Sequence, residues 1–424
     1  MLSVSLPSLR SLLPFPRGKK VIDLPPVKIH DIEAPEKHAR ALKYLLKLNH
    51  ANYAILYNHR RFHNHAPHLL GAAFLLGADA DDLNRLYESE SKLLDAWEDS
   101  PAEVTDEDWR NYLGHREYVL CRLLWQILQH AVLTGLSRYE KAFVDYYEDE
   151  LVRLSYDWKE VINQYLFSGD QPIFNSILAD LGHPLIHLAY AYEINSREVA
   201  IEALGLASVC YNSTHKYLDD PVYSQIEPSY QTTSLFEVLD KVRSDKHFND
   251  LPTTPDHHNL LNTHEASVLN HWNAWKIENP MEQFRESQKL AAVLFSATHG
   301  TQKYDFFLVH ILTTSHAVRV LLPLIPPKFQ IPLLRQWWLM TLTTFIGQHR
   351  REIDLERVSS YDIEGRDWKW TASQAINGEN STDVHYLKAI HSLEEMASTW
   401  GDQDNFYLKA AVQFVDEFSG WGFV

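Results

Sequence analysis

The sequence has few of the features that define several large protein classes. Only two of its 424 residues are cysteines, Cys121 and Cys210, and both lie in apolar, helix-like surroundings. This pattern favours buried thiols in a reducing compartment over a disulfide scaffold, although two cysteines leave a pairing open. No apolar run approaches the ~18–20 residues that a membrane-spanning helix needs. We therefore expect a soluble protein of the cytoplasm.

Positive charge is also scarce. The formal net charge is -17, and the only basic block is the stretch from Arg17 to Lys20. Proteins that bind nucleic acid present a basic stripe to the phosphates. The composition therefore excludes nucleic acid as an expected partner.

Motifs of the common enzyme classes are missing. The chain has no glycine-rich dinucleotide loop, no Walker sequence, no G-x-S-x-G and no H-E-x-x-H. Alternating strand patterns with Asn-Gly or Asp-Gly turns are absent, and so is any fixed-period repeat. These absences disfavour the familiar nucleotide-dependent enzymes and hydrolases, and also a β or solenoid fold.

Helical periodicity is what the chain does have. After Ala34, apolar residues recur three and four positions apart over most of the sequence. Among the helices that this pattern predicts are Met281 to Ala297 and Tyr304 to Leu322. Acidic first turns at 79–82 and 105–108 are typical helix starts. Prolines near the N-terminus break helical periodicity there. We predict an all-α, multi-helix bundle with a buried histidine-rich site, in which residues 1–33 form an extended arm and residues 34–424 a single domain.

The chain is rich in histidine and in aromatic residues, with 23 His, 18 Phe, 12 Trp and 21 Tyr. Two histidine pairs flank predicted helix starts, each with a proline in the first turn: His65 with His68, and His183 with His187. A helix N-terminus disfavours the imidazolium form, so it helps to hold these rings in the neutral form that binds metals. N-capping and core packing are the alternative explanation for each pair.

Two later segments add further candidates. His310 lies in an apolar helical stretch, where an unpaired ring would be costly, so it needs a partner or a metal. His299 precedes it in a predicted loop. His385, Lys388 and His391 share one helical face; a lysine there is usually exposed, but an inward-facing one must be neutral or modified.

Six motifs in this order resemble the questin oxidase-like family of fungal secondary metabolism. They are N-H-x-x-H-L-L-G at 64–71, L-G-A at 76–78, T-D-E-x-W at 105–109, G-H-P-L-I-H at 182–187, D-F-F-L-x-H at 305–310 and D-x-H-x-x-K at 383–388. The resemblance spans roughly residues 50 to 395. It implies oxidative, Baeyer–Villiger-like opening of an anthraquinone or related aromatic polyketide ring, with O2 as co-substrate.

The same resemblance, combined with the lack of a flavin fingerprint, implies a mono- or dioxygenase that uses a non-haem metal, with Fe2+ as the expected cofactor. The expected metal ligands are His68, His183 or His187, His310 and Lys388. The expected catalytic residues are His65, His299 and Tyr304. Aromatic rings at Tyr304, Phe306 and Phe307 are expected to help shape the substrate pocket.

Lys388 is expected to act as a carbamate. Neutral imidazoles do not offset the charge of a metal ion, and the motifs supply no evident inward carboxylate. Reaction of a neutral Lys388 amine with carbon dioxide would provide that anion, and His385 or Asp383 would orient it.

Two alternatives remain open from the sequence. The protein could be a metal-free oxidase in which NADPH is the reductant and the histidines act as acids and bases. It could also be a non-catalytic helical scaffold in which all the histidines are structural. The sequence does not determine the oligomeric state.

Overall fold

The computed structural model of the chain describes residues 22–114, 139–252, 257–298 and 303–423. Over these residues the fold is helical with very little sheet, which confirms the all-α prediction. The α-helices are α1 Lys37–Asn52, α2 Ala66–Leu75, α3 Ala80–Glu90, α4 Glu140–Arg153, α5 Trp158–Leu166, α6 Ala179–Glu193, α7 Arg197–Val209, α8 Lys216–Asp219, α9 Pro221–Gln225, α10 Leu235–Ser244, α11 His257–Thr263, α12 Glu265–Ala274, α13 Pro280–Ser296, α14 Leu308–Leu321, α15 Gln330–Gly347, α16 Leu355–Ser359, α17 Trp368–Asn377, α18 Val384–Trp400 and α19 Phe406–Glu417.

Short strands and 3-10 turns complete the described elements. Strands β1 Leu56–Tyr57 and β2 Phe62–His63 pair antiparallel, and β3 Tyr304–Asp305 and β4 Trp421–Gly422 pair in parallel. The 3-10 helices are Ser91–Leu93, Trp109–Tyr112, Ile173–Ser176, Ser213–His215, Lys246–Phe248, Pro327–Phe329 and Gln403–Asn405. None of the helices in the described ranges is both long and apolar enough to cross a bilayer.

Four helices enclose the centre of the molecule. α2 packs against α6, α6 against α14, α14 against α18, and α18 back against α2, which closes a ring of helices. Every residue of α14 is buried. A helix that is buried on all sides lies in the interior of a large domain. Its polar side chains therefore need hydrogen-bond partners or ligands there.

The segment before α1 contains no helix or strand between residues 22 and 36. It is nevertheless anchored: the Ile22 N–H donates to Gln330 Oε1 at 3.1 Å, and Arg319 Nη2 donates to the Pro25 carbonyl oxygen at 2.9 Å. The described part of this segment therefore lies against the helical body. Residues 1–21 of the predicted arm lie outside the described residues.

Candidate metal centre

The two histidine pairs stand at local breaks in the backbone. The Ala66 N–H donates to Asn64 Oδ1 at 3.0 Å, and Pro67 occupies the first turn of α2, so His65 and His68 follow a fixed helix start. Within α6, residues 180–182 have left-handed backbone angles, which turn the chain immediately before His183. Each pair is thereby held at the start of a regular helical segment.

The other two helices of the ring, α14 and α18, each start at a capping aspartate. Asp305 Oδ1 accepts the N–H groups of Phe307 and Leu308 at the start of α14, at 2.8 and 3.0 Å, and His310 follows in the first turn. Asp383 Oδ1 accepts the N–H groups of His385 and Tyr386 at the start of α18. Helix capping by these two aspartates fixes where His310 and His385 lie.

The histidine rings meet inside the helix ring. Ring centroids lie 5.0 Å apart for His65 and His183, 4.9 Å for His65 and His385, 5.1 Å for His183 and His310, and 4.9 Å for His310 and His385. Nitrogen atoms of His65, His183 and His385 all lie within 4.8 Å of one another. Four rings from four helices therefore surround one small interior volume, which we call the four-histidine site.

Hydrogen bonds fix the tautomer of two of these rings. His310 Nδ1 donates to the Phe306 carbonyl oxygen at 2.8 Å, and His183 Nδ1 donates to the Asp180 carbonyl oxygen at 2.6 Å. A ring that donates through Nδ1 carries its free lone pair on Nε2. Among the described residues, Nε2 has no hydrogen-bond partner in any of the four rings.

Burial keeps these rings neutral. Desolvation lowers the pKa of His65, His183 and His385 well below the usual histidine value, and lowers the pKa of His310 to about 3. The positive charge of nearby Lys388 lowers the pKa of each ring further. Neutral imidazoles with unpaired, buried lone pairs are suited to bind a metal ion.

Lys388 lies among the same rings and is fully buried, with 0% of its surface exposed. Within the described part of the chain its Nζ has no hydrogen-bond partner. Burial lowers the pKa of this amine to about 7, and the negative charges of Asp383 and Glu90 only partly oppose that shift. Lys388 is thus a buried residue and not a solvated surface lysine.

His68 and His187 form a second layer beside this site. The His68 ring lies 5.4 Å from His65 and 4.8 Å from His187, and neither of its nitrogens has a partner among the described residues. His187 Nε2 is 2.9 Å from Glu202 Oε2, and Glu202 Oε1 is 2.9 Å from His50 Nδ1. These hydrogen bonds lower the pKa of Glu202 to about 2 despite its burial, so His187 faces a carboxylate.

Three residues were predicted to lie near the site on the segment before and at the start of α14, and the structure places only one of them beside the histidines. Tyr304 is not brought to the histidines: it lies on β3, and its ring packs at 5.2 Å from Phe295 and 4.8 Å from Phe414. Phe306, two residues later, does reach the site, with ring centroids 5.0 Å from His310 and 4.8 Å from His385. His299 lies outside the described residues.

Sequence reasoning missed His385 as a candidate ligand. It expected this residue only to orient Lys388, whereas the His385 ring borders the site and its Nε2 has no partner among the residues that the structure describes. The signal was available, because His385 follows the capping Asp383 just as His310 follows Asp305. Asp383 itself is occupied by the α18 backbone and by Trp421 Nε1, which donates to its Oδ2 at 2.7 Å.

Comparison with known proteins places the chain in a family. The family model for questin oxidase-like proteins matches residues 62–120 and 129–393. The chain belongs to the questin oxidase-like family. Among its relatives, it is 21% identical to the Baeyer-Villiger oxidase ptaJ of Pestalotiopsis fici over 387 residues, which is 85% of this chain and 81% of the relative. It is 21% identical to a questin oxidase of Aspergillus terreus and 23% identical to one of Aspergillus fumigatus, each over 85% of this chain and 81% of the relative.

In this questin oxidase-like chain, a cavity of about 320 Å³ is connected to the four-histidine site through contacts of His63. Asp180 and Cys210 line it, and Asp180 Oδ2 is 3.5 Å from His63 Nε2. The His63 ring in turn stacks on His183 with centroids 3.9 Å apart. The cavity volume lies at the lower end of the roughly 300–1,000 Å³ range of small-molecule sites.

Gly182 gives a test of how the backbone positions His183. It has a φ of +75°, and a Cβ there would lie 2.4 Å from Thr314 Cγ2 on α14. Gly182→Ala is expected to lower the free energy of unfolding by about 2 kcal/mol more than Gly365→Ala, because Gly365 has the same φ but open space around it. Denaturant titration of both variants measures this difference. Equal losses would show that only the backbone conformation, and not the contact with α14, constrains this turn.

Proposed function

We propose that this protein is an oxidoreductase that opens a ring of an anthraquinone or related aromatic polyketide by Baeyer–Villiger-like oxidation, with a metal ion bound at the four-histidine site. One observation carries the metal assignment: among the described residues, the Nε2 atoms of four clustered, buried imidazoles and the Nζ of a buried lysine have no hydrogen-bond partner. Unpaired buried polar atoms cost free energy, and a cluster of them indicates a missing ligand. The relatives, a Baeyer-Villiger oxidase and a questin oxidase, suggest the reaction class.

In this proposal the ion is held by His65, His183, His310 and His385. This set replaces the sequence-based one by adding His65 and His385, whose nitrogens meet that of His183 within 4.8 Å. His187 is left out because its ring packs against His68, with centroids 4.8 Å apart, in the layer beside the site. Imidazole ligation suits iron among the first-row metals, and iron(II) would supply a centre for binding and activating O2 beside the substrate.

Lys388 supplies the anion in the form of a carbamate. Four neutral imidazoles leave the charge of a bound ion uncompensated, and a carbamate on Nζ would provide a carboxylate inside the site. His68 is proposed to orient that group, because its ring lies 5.4 Å from His65 and neither of its nitrogens has a partner among the described residues. The starts of α2, α14 and α18 add positive dipole ends that favour an anion here.

The substrate is proposed to bind in the cavity lined by Asp180 and Cys210. Its wall also carries Tyr211, Tyr217 and Gln336, so flat aromatic surface and hydrogen-bonding groups are both available to a polyketide. The layer of His63 and His183 separates this cavity from the interior of the site. The Phe306 ring packs 5.0 Å from His310 and 4.8 Å from His385, and we propose that it limits the access of water to them.

The test is turnover of an anthraquinone substrate such as questin under ¹⁸O2, with metal-free protein and with protein reloaded with iron(II). We expect ring-opened product containing labelled oxygen only from the reloaded protein. Omitting NADPH then separates two reaction types. Monooxygenation needs two electrons from a reductant to convert the second oxygen atom to water, whereas dioxygenation needs none.

Each alternative predicts a different result. A metal-free oxidase would keep its activity after chelation and would depend on NADPH alone. A structural scaffold would turn over no substrate under any condition. Activity that survives complete removal of metal would contradict the metal assignment, but it would leave the ring-opening assignment intact.

A further inference from the structure

A second group of buried metal-binding side chains lies further along the same helices. Glu193 ends α6, His316 lies six residues after His310 on α14, and His391 lies three residues after Lys388 on α18. All three are buried, and their ligand atoms lie within 4.8 Å of one another. No motif of the sequence analysis included Glu193, and none of the three belongs to the four-histidine site.

The distances in this group fit a long hydrogen bond and also fit two ligands of one metal ion. His316 Nε2 lies 3.2 Å from one Glu193 carboxyl oxygen and 3.3 Å from the other. Several other histidine–carboxylate pairs among the described residues are closer, as at 2.9 Å between His271 and Asp245. Two ligand atoms on one metal with bonds of about 2.1 Å lie roughly 3.0–3.4 Å apart. The Glu193–His316 spacing therefore suits two ligands of a shared ion.

Polar atoms in this group are incompletely satisfied. Among the described residues, His316 Nδ1 has no hydrogen-bond partner, although the ring is almost fully buried. The contact of His391 Nδ1 with the Tyr190 hydroxyl is long, at 3.5 Å. A buried nitrogen such as His316 Nδ1, without a partner among the described residues, calls for an explanation.

The three side chains are also closed off from water. Glu193, His316 and His391 each expose 4% or less of their surface. The nearby Arg319 directs its Nε to Thr399 Oγ1 and its Nη2 to the Pro25 carbonyl oxygen, and not to Glu193. The Glu193 carboxyl group therefore faces the His316 ring and not a guanidinium group.

We propose that Glu193, His316 and His391 bind a second divalent transition-metal ion, separate from the ion of the four-histidine site. Two imidazoles and one carboxylate form a ligand set used for iron(II), and imidazole and carboxylate ligands also suit zinc. The ion joins α6, α14 and α18. It lies beneath the N-terminal segment, whose His30 N–H donates to the Glu193 carbonyl oxygen at 2.7 Å.

Metal counting tests this proposal. Metal-free, full-length protein is titrated with Co2+, passed through a desalting column and analysed for cobalt, with the visible absorption of bound Co2+ as a second readout. We expect two equivalents per chain in the wild type and one in Glu193→Gln or His316→Gln. Glu193→Gln nearly preserves shape and removes the buried charge, so it keeps the test valid if His316→Gln fails to fold.

Variants separate this proposal from that for the four-histidine site. His310→Ala should also bind one equivalent, and His310→Ala combined with Glu193→Gln should bind none. His271→Ala is the matched control, because His271 is equally buried and bonded to a carboxylate but lies outside both groups. Two equivalents retained by Glu193→Gln, or a single equivalent in the wild type that Glu193→Gln does not change, would overturn the second site. Loss of an ion in Glu193→Gln but not in His310→Ala would support it and refute the first.

Discussion

His310→Ala is expected to remove the metal ion and to lower activity by about 100-fold or more, while helical content stays nearly unchanged. Changes to groups that only orient metal ligands already cost about 10–100-fold, so loss of a ligand should cost at least as much. The alanine deletes a neutral ring whose Nε2 has no partner in the described protein, and this offsets part of the packing lost from the core. Metal analysis, turnover and circular dichroism together measure the effect.

The effect of metal on the unfolding temperature gives a second test of the loss of metal binding in His310→Ala. A ligand that binds only the folded state raises the unfolding temperature, so added iron(II) should stabilise the wild type more than His310→Ala. His271→Ala serves as the control and should respond to metal as the wild type does. Parallel loss of helical content and activity in His310→Ala would instead indicate that His310 is a structural core residue.

The helices were largely predictable because their patterns are local. The sequence predicts a helix from Met281 to Ala297, and the structure has one at Pro280–Ser296. The start predicted at Tyr304 was wrong: α14 begins at Leu308, because Asp305 caps the helix and Tyr304 is paired with Trp421 in a strand. A two-residue strand formed with a partner more than 100 residues away leaves no periodic signal.

The candidate site was predictable in composition but not in arrangement. Helix-start motifs pointed to His65, His68, His183 and His310, and the structure brings these residues close together. Which nitrogen of each ring is free depends on tertiary contacts, such as the bond of His187 to Glu202 and that of His183 to the left-handed turn before it. The Glu193 group was not predicted because its three residues lie on three different helices, and no motif links Glu193 to His316 or His391.

Lys388→Ala is expected to lower activity about as strongly as His310→Ala, and short carboxylic acids such as acetate should partly restore it. The substitution removes the proposed carbamate and leaves space in which a small carboxylate can take its place. Lys388→Arg should stay inactive, because a guanidinium adds a buried positive charge and cannot form the carbamate. Turnover measured against acetate concentration, with wild type and His310→Ala as controls, checks both expectations.

The carbamate at Lys388 can also be tested independently, through its dependence on carbon dioxide. Carbamate formation consumes a neutral amine and releases a proton, so it is favoured above the Lys388 pKa of about 7 and disfavoured below it. Reloading of metal-free wild type with iron(II) should therefore need dissolved carbon dioxide and should weaken as the pH falls below 7. ¹³C-labelled carbon dioxide should give a carbamate NMR signal in the wild type, with zinc in place of iron, and none in Lys388→Ala. Full activity of Lys388→Ala without added acid would refute the ligand role, because the four neutral imidazoles would then suffice to hold a working ion.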